Sequence, residues 1–232
     1  MAGSELQRLV EVMDRLRSPG GCPWDAEQTH QSLTKYLIEE TYELIDAIES
    51  NDRQQILEEL GDVFYHVVFH SDLAESGSLG EPFSIQDVAE LSIAKMKGRH
   101  PHVFGTAEEL EKYKAETGDD VMRSWDAHKM KEKPERQSVL DGIPNSLPAL
   151  LLADKVIGKA QKLGVLETEA TPAIAVEDED QLGGLLLALV LSAKHQGLDA
   201  ERALRETIRE LQVEIRAFEL SDEFDAGVVG QA

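Results

Sequence analysis

Two amphipathic segments joined by a very short polar turn constrain the fold of this chain more than any other feature. Residues 31–49 and 53–75 both repeat apolar residues at intervals of three and four, which is typical of an α-helix. Ser50, Asn51 and Asp52 separate the segments, and Asn51 or Asp52 suits the N-cap of the second helix. Because so short a connection folds two helices back on each other, the sequence predicts an antiparallel helical hairpin.

Acidic residues of this hairpin lie beside its apolar positions and not on the opposite faces. An ideal helix turns ~100° per residue, so Glu40 lies ~20° from Leu33 on the first helix. On the second helix, Glu59 lies ~40° from Val63 by the same geometry. Since the helices are antiparallel, acids ~10 residues before and after the turn should meet at the same height of the hairpin. The acids expected to meet are Glu40, Glu43, Glu59 and Asp62.

Four converging carboxylates in a partly apolar setting repel one another and lose hydration. Each of them costs several kcal/mol unless the charge is compensated. The acids can become protonated, or they can bind a divalent cation, and an all-oxygen ligand set suits a hard cation such as Mg²⁺ or Mn²⁺. A solvated acidic face is the common explanation of a single E-x-x-E, and it stays open here beside the metal site.

Helical patterning extends over the rest of the chain. Ser4 and Ser84 are suitable N-caps for helices over residues 4–17 and 84–99. Further helical patterns lie at 107–132, 149–163, 180–196 and 199–219. Since no run of alternating apolar and polar residues with hairpin turns indicates a strand, the predicted fold class is all-α, a helical bundle.

Turn-forming residues predict the division of the chain into domains. Residues 18–25 and 100–105 are rich in glycine and proline and are expected to be turns that end helices. Residues 131–148 contain three prolines and a glycine and are typical of a connector. The predicted organisation is a site-bearing helical domain over 1–132, a linker over 133–148, a second helical repeat over 149–220 and a flexible tail over 221–232.

The charge of the chain excludes one class of partner. The 232 residues have a formal net charge of −22, so the surface repels the phosphate backbone of nucleic acids. A small anionic substrate would need local cations. Since no run reaches ~18 apolar residues, no membrane span is expected. Cys22 is the single cysteine and no signal-peptide pattern is present, so a cytoplasmic location is expected.

Two short motifs on the hairpin resemble a known enzyme signature. "EETYE" at 39–43 and "ELGD" at 59–62 are similar to the EExxE…ExxD signature of the all-α nucleoside triphosphate pyrophosphohydrolases. The flanking stretches resemble the MazG family in particular: "GCPWDAEQTHQSL" at 21–33, "RHPHVF" at 99–104 and "VLDGIPNSLPALLLADKV" at 139–156. The resemblance covers about residues 5–163. It implies a MazG-type bundle that cleaves a nucleoside triphosphate at the α–β bond into a monophosphate and pyrophosphate, a house-cleaning activity on the nucleotide pool.

The resemblance also implies a cofactor, a substrate and residue roles. Nucleoside triphosphates are the implied substrates, and Mg²⁺ is the implied cofactor, with Mn²⁺ as a possible substitute. The implied metal ligands are Glu40, Glu43, Glu59 and Asp62, and the acids that match water-positioning residues are Glu39 and Glu58. The residues that match nucleotide-contacting positions are Lys95, Arg99, Trp125 and Lys129. Lys95 and Arg99 are spaced i,i+4, and so are Trp125 and Lys129, which places the two members of each pair on one face of a helix.

Residues 182–219 echo residues 60–102, and MazG proteins commonly contain two such repeats. The second copy has lost the side chains that the chemistry needs. At the positions equivalent to the acids and cations of the first repeat it has Gln181, Gly184, Glu210 and Glu214. Without acids for a metal or cations for a triphosphate, this degenerate repeat is expected to be a packing or dimerisation element.

The sequence leaves other functions open. A narrow dUTP or dCTP pyrophosphatase is the alternative within the same class, and a helical interaction protein with a structural cation is the alternative outside it. "EQTH" at 27–30 matches the E-x-x-H of a di-iron bundle, but such a site needs two copies. His66 and His70 fall near the acid-bearing face of the hairpin's second helix. Long amphipathic helices in a short chain predict a homodimer.

Overall fold

Helices are the regular structure of this chain. The computed structural model describes residues 4–118, 120–121, 135–166 and 174–221, and within these ranges it contains helices and no strands. The all-α prediction is therefore confirmed. The chain divides into two compact units, Met1–Lys129 and Met130–Ala232. Among the described helices, none has both the length and the apolar character that crossing a bilayer requires.

The first unit contains two long central helices and several shorter ones. The long helices are α3, His30–Glu49, and α4, Arg53–Glu75. The shorter helices are α1 (Glu5–Arg17), α2 (Pro23–Glu27), α5 (Ile85–Arg99), α6 (Pro101–Phe104) and α7 (Ala107–Lys112). Because α1, α3 and α5 all pack against α4, α4 is the central helix of this unit.

The turn between α3 and α4 fixes the hairpin through backbone hydrogen bonds. Asn51 has a positive φ of 55°, and its N–H donates to the carbonyl of Ile48 at 3.0 Å. The N–H of Asp52 donates to the carbonyl of Ala47 at 3.1 Å, which completes a Schellman motif. The Asp52 carboxylate then accepts hydrogen bonds from two N–H groups in the first turn of α4. The predicted hairpin is confirmed, with Asp52 as its N-cap.

A small hydrophobic core joins α1, α3 and α4. Its buried side chains are Met13, Leu33, Val68, Phe69 and Leu73. Leu33, the reference for the predicted position of Glu40, is 1% exposed. The apolar stripes of α3 and α4 therefore face this core, and the acidic residues lie along its border.

A buried carboxylate anchors the segment between α1 and α3. Asp25 is 6% exposed, and its Oδ1 accepts a hydrogen bond from the Tyr65 hydroxyl at 3.1 Å. Arg17 Nη1 donates to the Asp25 carbonyl at 2.8 Å, and Arg17 Nε forms an ion pair with Asp72. Tyr65 of α4 and Arg17 of α1 thus hold this segment by polar contacts, and Asp72 of α4 holds the Arg17 side chain in turn.

Two predicted turns contain short helices, and two predicted caps are confirmed. Residues 18–25 contain the start of α2 and residues 100–105 contain α6, and each of these helices has a proline in its first turn. The fixed φ of proline suits the first turn of a helix, so a proline in a turn-rich stretch can also begin a helix. Ser4 and Ser84 cap α1 and α5 as predicted. The predicted pattern over 107–132 includes α7, and residues 122–134 lie outside the described part.

The second unit contains α8 (Ala149–Lys162), α9 (Glu179–His195) and α10 (Ala200–Glu219). α8 and α10 pack together around the buried residues Leu140, Ala149, Leu152, Val156, Ala160, Ile208 and Ile215. Leu140 belongs to the segment 133–148 that the sequence predicts as a linker, and Val139 N–H donates to the Glu219 carboxylate at 2.8 Å. This part of the segment packs on the second unit. Residues 222–232 of the predicted tail lie outside the described residues.

Candidate metal centre and nucleotide site

Three of the predicted acidic ligands meet across the hairpin. Glu40 and Glu43 are one turn apart on α3, and Glu59 is on α4. One carboxylate oxygen of each residue lies within 4.8 Å of the corresponding oxygens of the other two. Glu40 and Glu59 are half-buried, whereas Glu43 is exposed. Residues 16 to 19 positions apart in the chain are adjacent here because the short turn brings α4 back along α3.

The carboxylates of this acidic cluster, Glu40, Glu43 and Glu59, raise one another's affinity for positive charge. Burial raises the pKa of Glu40 above its ordinary value of 4.5, and the negative charge of the nearby Asp62 raises it further. Burial also raises the pKa of Glu59, together with the charges of Glu43 and Asp62. Both shifts have the direction that favours binding a proton or a cation at the cluster.

One oxygen of the acidic cluster lacks a hydrogen-bond partner within the described part of the chain. Glu59 Oε2 is buried and accepts no hydrogen bond from the described residues. A buried carboxylate oxygen without a donor is costly, so an ion or a proton is needed to compensate it. Three carboxylates, one of them with this unpartnered oxygen, are a donor set that fits a hard divalent cation.

The remaining predicted acids lie around the acidic cluster. Asp62 is exposed, one turn after Glu59 on α4, and its charge acts on both Glu40 and Glu59. Its oxygens do not join the three that approach within 4.8 Å. Glu39 and Glu58 are exposed, next in the chain to Glu40 and Glu59. The structure therefore brings three of the four predicted ligands together and places the fourth beside them.

The predicted nucleotide-contacting residues are divided between described and undescribed parts of the chain. Lys95 and Arg99 are half-buried and lie one turn apart near the end of α5, which packs on α4. Trp125 and Lys129 lie outside the described residues.

Histidines near the acidic cluster form a group that sequence reasoning did not assemble. His30 Nδ1 on α3 lies 2.8 Å from His70 Nδ1 on α4, and the two rings stack with centroids 5.0 Å apart. His66, one turn before His70, is buried, and its Nδ1 has no hydrogen-bond partner among the described residues. The helical spacing of His66 and His70 from Asp62 was the signal that could place them near the acids. His30, which pairs with His70, comes from another helix and has no such spacing.

The fold and the acidic cluster together define a class: an all-α protein with a carboxylate cluster on an antiparallel hairpin. The sequence model of the MazG nucleotide pyrophosphohydrolase domain matches residues 28–104. The chain is 34% identical over 239 residues to the nucleoside triphosphate pyrophosphohydrolase of Escherichia coli K12, covering 93% of this chain and 88% of that protein. This chain belongs to the MazG family.

Two further relatives extend this comparison. The nucleoside triphosphate pyrophosphohydrolase/pyrophosphatase MazG of Thermotoga maritima is 36% identical over 225 residues, which are 90% of this chain and 83% of that protein. The nucleoside triphosphate pyrophosphohydrolase of Mycobacterium tuberculosis is 40% identical over 218 residues, 94% of this chain but 59% of that protein. The likeness therefore extends over both units and well beyond the matched domain.

A second acidic cluster is not found in the described part of the chain. The group formed by Glu40, Glu43 and Glu59 is the one set of three potential metal-ligating side chains there. Gln181 and Gly184 lie on α9 and are the predicted counterparts of Glu59 and Asp62. Neither of these two residues has a carboxylate. The described part of the second unit thus contains no three potential ligands close enough to share a divalent cation.

Proposed function

We propose that this chain is a Mg²⁺-dependent nucleoside triphosphate pyrophosphohydrolase that acts on ribo- and deoxyribonucleotides. The single observation that supports the proposal most is the convergence of the Glu40, Glu43 and Glu59 carboxylates, and Glu59 Oε2 has no hydrogen-bond partner among the described residues. The printed names of the E. coli and T. maritima relatives support the same activity. In the reaction, one water is consumed, the P–O bond between the α and β phosphates breaks, and the products are a nucleoside monophosphate and pyrophosphate.

The residues of the first unit suit distinct parts of this reaction. A bound Mg²⁺ would supply charge neutralisation for the phosphates and a water of lowered pKa. Glu40, Glu43 and Glu59, with Asp62 beside them, are the residues that would hold it. Glu39 and Glu58 are exposed next to the acidic cluster, where a carboxylate can accept a proton from the attacking water.

Cations are needed to bind the triphosphate and to stabilise the charge that grows on the leaving pyrophosphate. Lys95 and Arg99 share one face of α5 and are proposed for this role, together with Lys129. Trp125 is proposed to contact the nucleotide through its aromatic ring. The strong negative charge of the chain makes such local cations necessary, since the protein as a whole repels anions.

The deciding experiment is a panel of the common ribo- and deoxyribonucleoside triphosphates assayed for pyrophosphate, with Mg²⁺ and with EDTA. We expect equal amounts of monophosphate and pyrophosphate in Mg²⁺ and no products in EDTA. Release of orthophosphate in place of pyrophosphate would contradict cleavage at the α–β bond. A panel in which dUTP or dCTP alone is cleaved would support the narrow-specificity alternative.

An interaction protein with a structural cation is distinguished by thermal melting. We expect a non-hydrolysable nucleoside triphosphate, added in the presence of Mg²⁺, to raise the melting temperature because it binds the native state alone. An interaction protein would gain nothing from the nucleotide.

We also propose that the chain forms a homodimer. Helix α9 is largely apolar, yet none of its residues is buried, and Leu187, Leu189 and Leu191 are each more than half exposed. An exposed apolar surface of this kind commonly marks a protein contact. A second copy of the chain would cover it.

A further inference from the structure

An apolar cavity lies beside the acidic cluster in the first unit. Its volume is about 400 Å³, within the range of about 300–1,000 Å³ that is common for small-molecule sites. Leu37 of α3, His66 of α4 and Val88 of α5 line it, and Leu79 and Phe83 contribute from the segment between α4 and α5. The cavity is therefore mostly hydrophobic, with an aromatic ring and an imidazole in its wall.

The imidazole of His66 is the polar group of this cavity that has an unpaired nitrogen, as far as the described ranges show. His66 is 5% exposed, and its Nδ1 makes no hydrogen bond to any described residue. Burial lowers the pKa of His66, although the charge of Asp62 opposes that shift, and the lowered pKa favours the neutral ring. A neutral imidazole nitrogen that is buried and unpaired is poised to donate or accept one hydrogen bond.

The other two histidines are already engaged. His70 Nδ1 lies 2.8 Å from His30 Nδ1, and His30 Nε2 lies 3.1 Å from the Ser78 hydroxyl. Within the described part of the chain, the histidines do not form a group of three ligating atoms within 4.8 Å. The three histidines therefore do not match a transition-metal site. His66 is the one of the three whose Nδ1 has no hydrogen-bond partner among the described residues.

The cavity and the acidic cluster share the two helices of the hairpin. On α4, His66 follows Glu59 by seven residues, which is two turns and about 10 Å along the same helix face. On α3, Leu37 precedes Glu40 by three residues, or about 4.5 Å. A ligand with one end at the acids and the other in the cavity must therefore span one to two helical turns. In a nucleotide, the ribose separates the base from the phosphates by a comparable length.

We propose that this cavity binds the base of the nucleotide, with His66 Nδ1 hydrogen-bonded to the edge of the ring. A nucleobase is flat and largely apolar on its faces, which suits walls formed by Phe83, Leu37 and Val88. Its edge has donors and acceptors, which suit the unpaired nitrogen. This inference rests on the proposed function, since it assigns the base of a substrate whose phosphates lie at the acidic cluster.

The test compares nucleotides with ribose 5-triphosphate, a substrate without a base, in the presence of Mg²⁺. We expect the wild-type protein to prefer nucleotides, and His66→Phe to lower their kcat/KM by about 10- to 100-fold, the effect of one lost buried hydrogen bond. The kcat/KM for ribose 5-triphosphate should change by less than about twofold, because that substrate never contacts His66. His66→Asn keeps a polar group near the Nδ1 position and should retain more nucleotide activity than His66→Phe.

A second variant changes another residue that lines the cavity. Val88→Phe reduces the cavity volume and should lower kcat/KM for purine nucleotides more than for pyrimidine nucleotides. Val12→Phe is the matched control, since Val12 is 52% exposed on α1 and does not line the cavity. The Mg²⁺-dependent rise in melting temperature should persist in each variant, which shows that the acidic cluster is intact.

The outcomes separate this proposal from the proposed function. If the wild-type protein releases no pyrophosphate from any nucleotide, both are wrong. If it is active but His66→Phe and Val88→Phe leave the preference among bases unchanged, or lower ribose 5-triphosphate cleavage equally, the base assignment alone is wrong.

Discussion

Glu43 and Glu59 lie on opposite sides of the Asn51 turn, yet carboxylate oxygens of the two side chains approach within 4.8 Å. Neither carboxylate has a cationic side chain among its ion-pair partners in the described part of the chain. Two like charges at this distance destabilise the hairpin unless a proton or a cation lies between them. The hairpin therefore holds electrostatic repulsion that a divalent cation would remove.

Replacing Glu59 by glutamine should lower the catalytic rate and at the same time raise the stability of the metal-free protein. The amide keeps the shape of the side chain but removes a charge that a cation needs, so kcat/KM for pyrophosphate release should fall at least about 100-fold. In EDTA the same variant should melt at a higher temperature than the wild type, because the repulsion with Glu43 is gone.

Glu49→Gln is the matched control for this variant. Glu49 is exposed at the end of α3, away from the acidic cluster, and its substitution should leave both the rate and the melting temperature nearly unchanged. Retained activity in Glu59→Gln would show that Glu59 is not a ligand.

The stabilising effect of Mg²⁺ should depend on pH. The pKa values of Glu40 and Glu59 are raised above 4.5 in the folded protein, first by burial and then by neighbouring acids. Between 4.5 and the higher folded-state values, the metal-free native protein holds more protons than the unfolded chain. Its free energy of unfolding therefore falls as the pH rises through this window, and this stabilisation is fully present only at lower pH.

Mg²⁺ binds the ionised carboxylates, so it should reverse this loss. At a concentration about 100 times the dissociation constant, we expect the melting temperature to rise by about 5–10 °C at about pH 7.5, and by clearly less at about pH 5. Thermal melts with Mg²⁺ and with EDTA at both pH values measure the difference. An equal rise at both pH values would contradict binding through Glu40 and Glu59.

The local pattern of the sequence was sufficient to predict the hairpin and the meeting of its acids. Asp52 as an N-cap and the position of Glu40 beside Leu33 depend on residues close in the chain, where helix geometry applies directly. The same geometry placed Asp62 with the ligands; in the structure it lies one turn after Glu59, and its oxygens are not among the three that approach within 4.8 Å. Its role as a ligand stays a prediction. Helical angle gives the face of a residue and not the reach of its side chain.

Contacts between residues far apart in the chain could not be predicted from helical periodicity. The cavity beside His66 needs Phe83 and Val88, which follow α4 across a loop, and no periodic pattern relates them to the hairpin. The pair formed by His30 and His70 likewise depends on the register of α3 against α4. The buried Asp25 was also missed, because its partner Tyr65 is 40 residues away in the chain.

Tyr65→Phe should destabilise the first unit without removing bulk. The phenylalanine leaves the buried Asp25 Oδ1 without its hydroxyl donor, so the free energy of unfolding should fall by about 1–3 kcal/mol. Tyr42→Phe, at a site that is 54% exposed, should change it by less than about 0.5 kcal/mol. Chemical denaturation of both variants measures these values, and equal losses would show that the hydrogen bond contributes nothing specific.

The hydroxyl of Tyr65 also has a spectroscopic signature. Burial, together with the charge of Asp25 and the hydrogen bond to it, raises the pKa of Tyr65 to about 12. A titration of tyrosine absorbance should therefore contain one component near pH 12 that Tyr65→Phe removes. A wild-type titration without that component would contradict the contact.

Lys95→Ala should weaken the reaction with nucleotides without affecting the metal. Lys95 is half-buried on α5 and is proposed to contact the triphosphate, so losing one charge-assisted hydrogen bond should lower kcat/KM by about 10- to 100-fold. Lys97→Ala is the control, because Lys97 is exposed two residues further along the same helix. Steady-state kinetics of both variants at fixed Mg²⁺ decide this role, and equal effects would assign the loss to net charge alone.

Charged residues on α9 should dissociate the proposed dimer. Leu187 and Leu191 are 61% and 58% exposed and lie one turn apart, so the double substitution by lysine places two charges on one apolar face. We expect the wild type to sediment at about twice 25.7 kDa and the double variant as a monomer. Val213→Lys, at a site that is 67% exposed on α10, is the control for an added charge elsewhere in the same unit. A wild-type protein that sediments as a monomer at micromolar concentration would show that this face is not covered by a second copy.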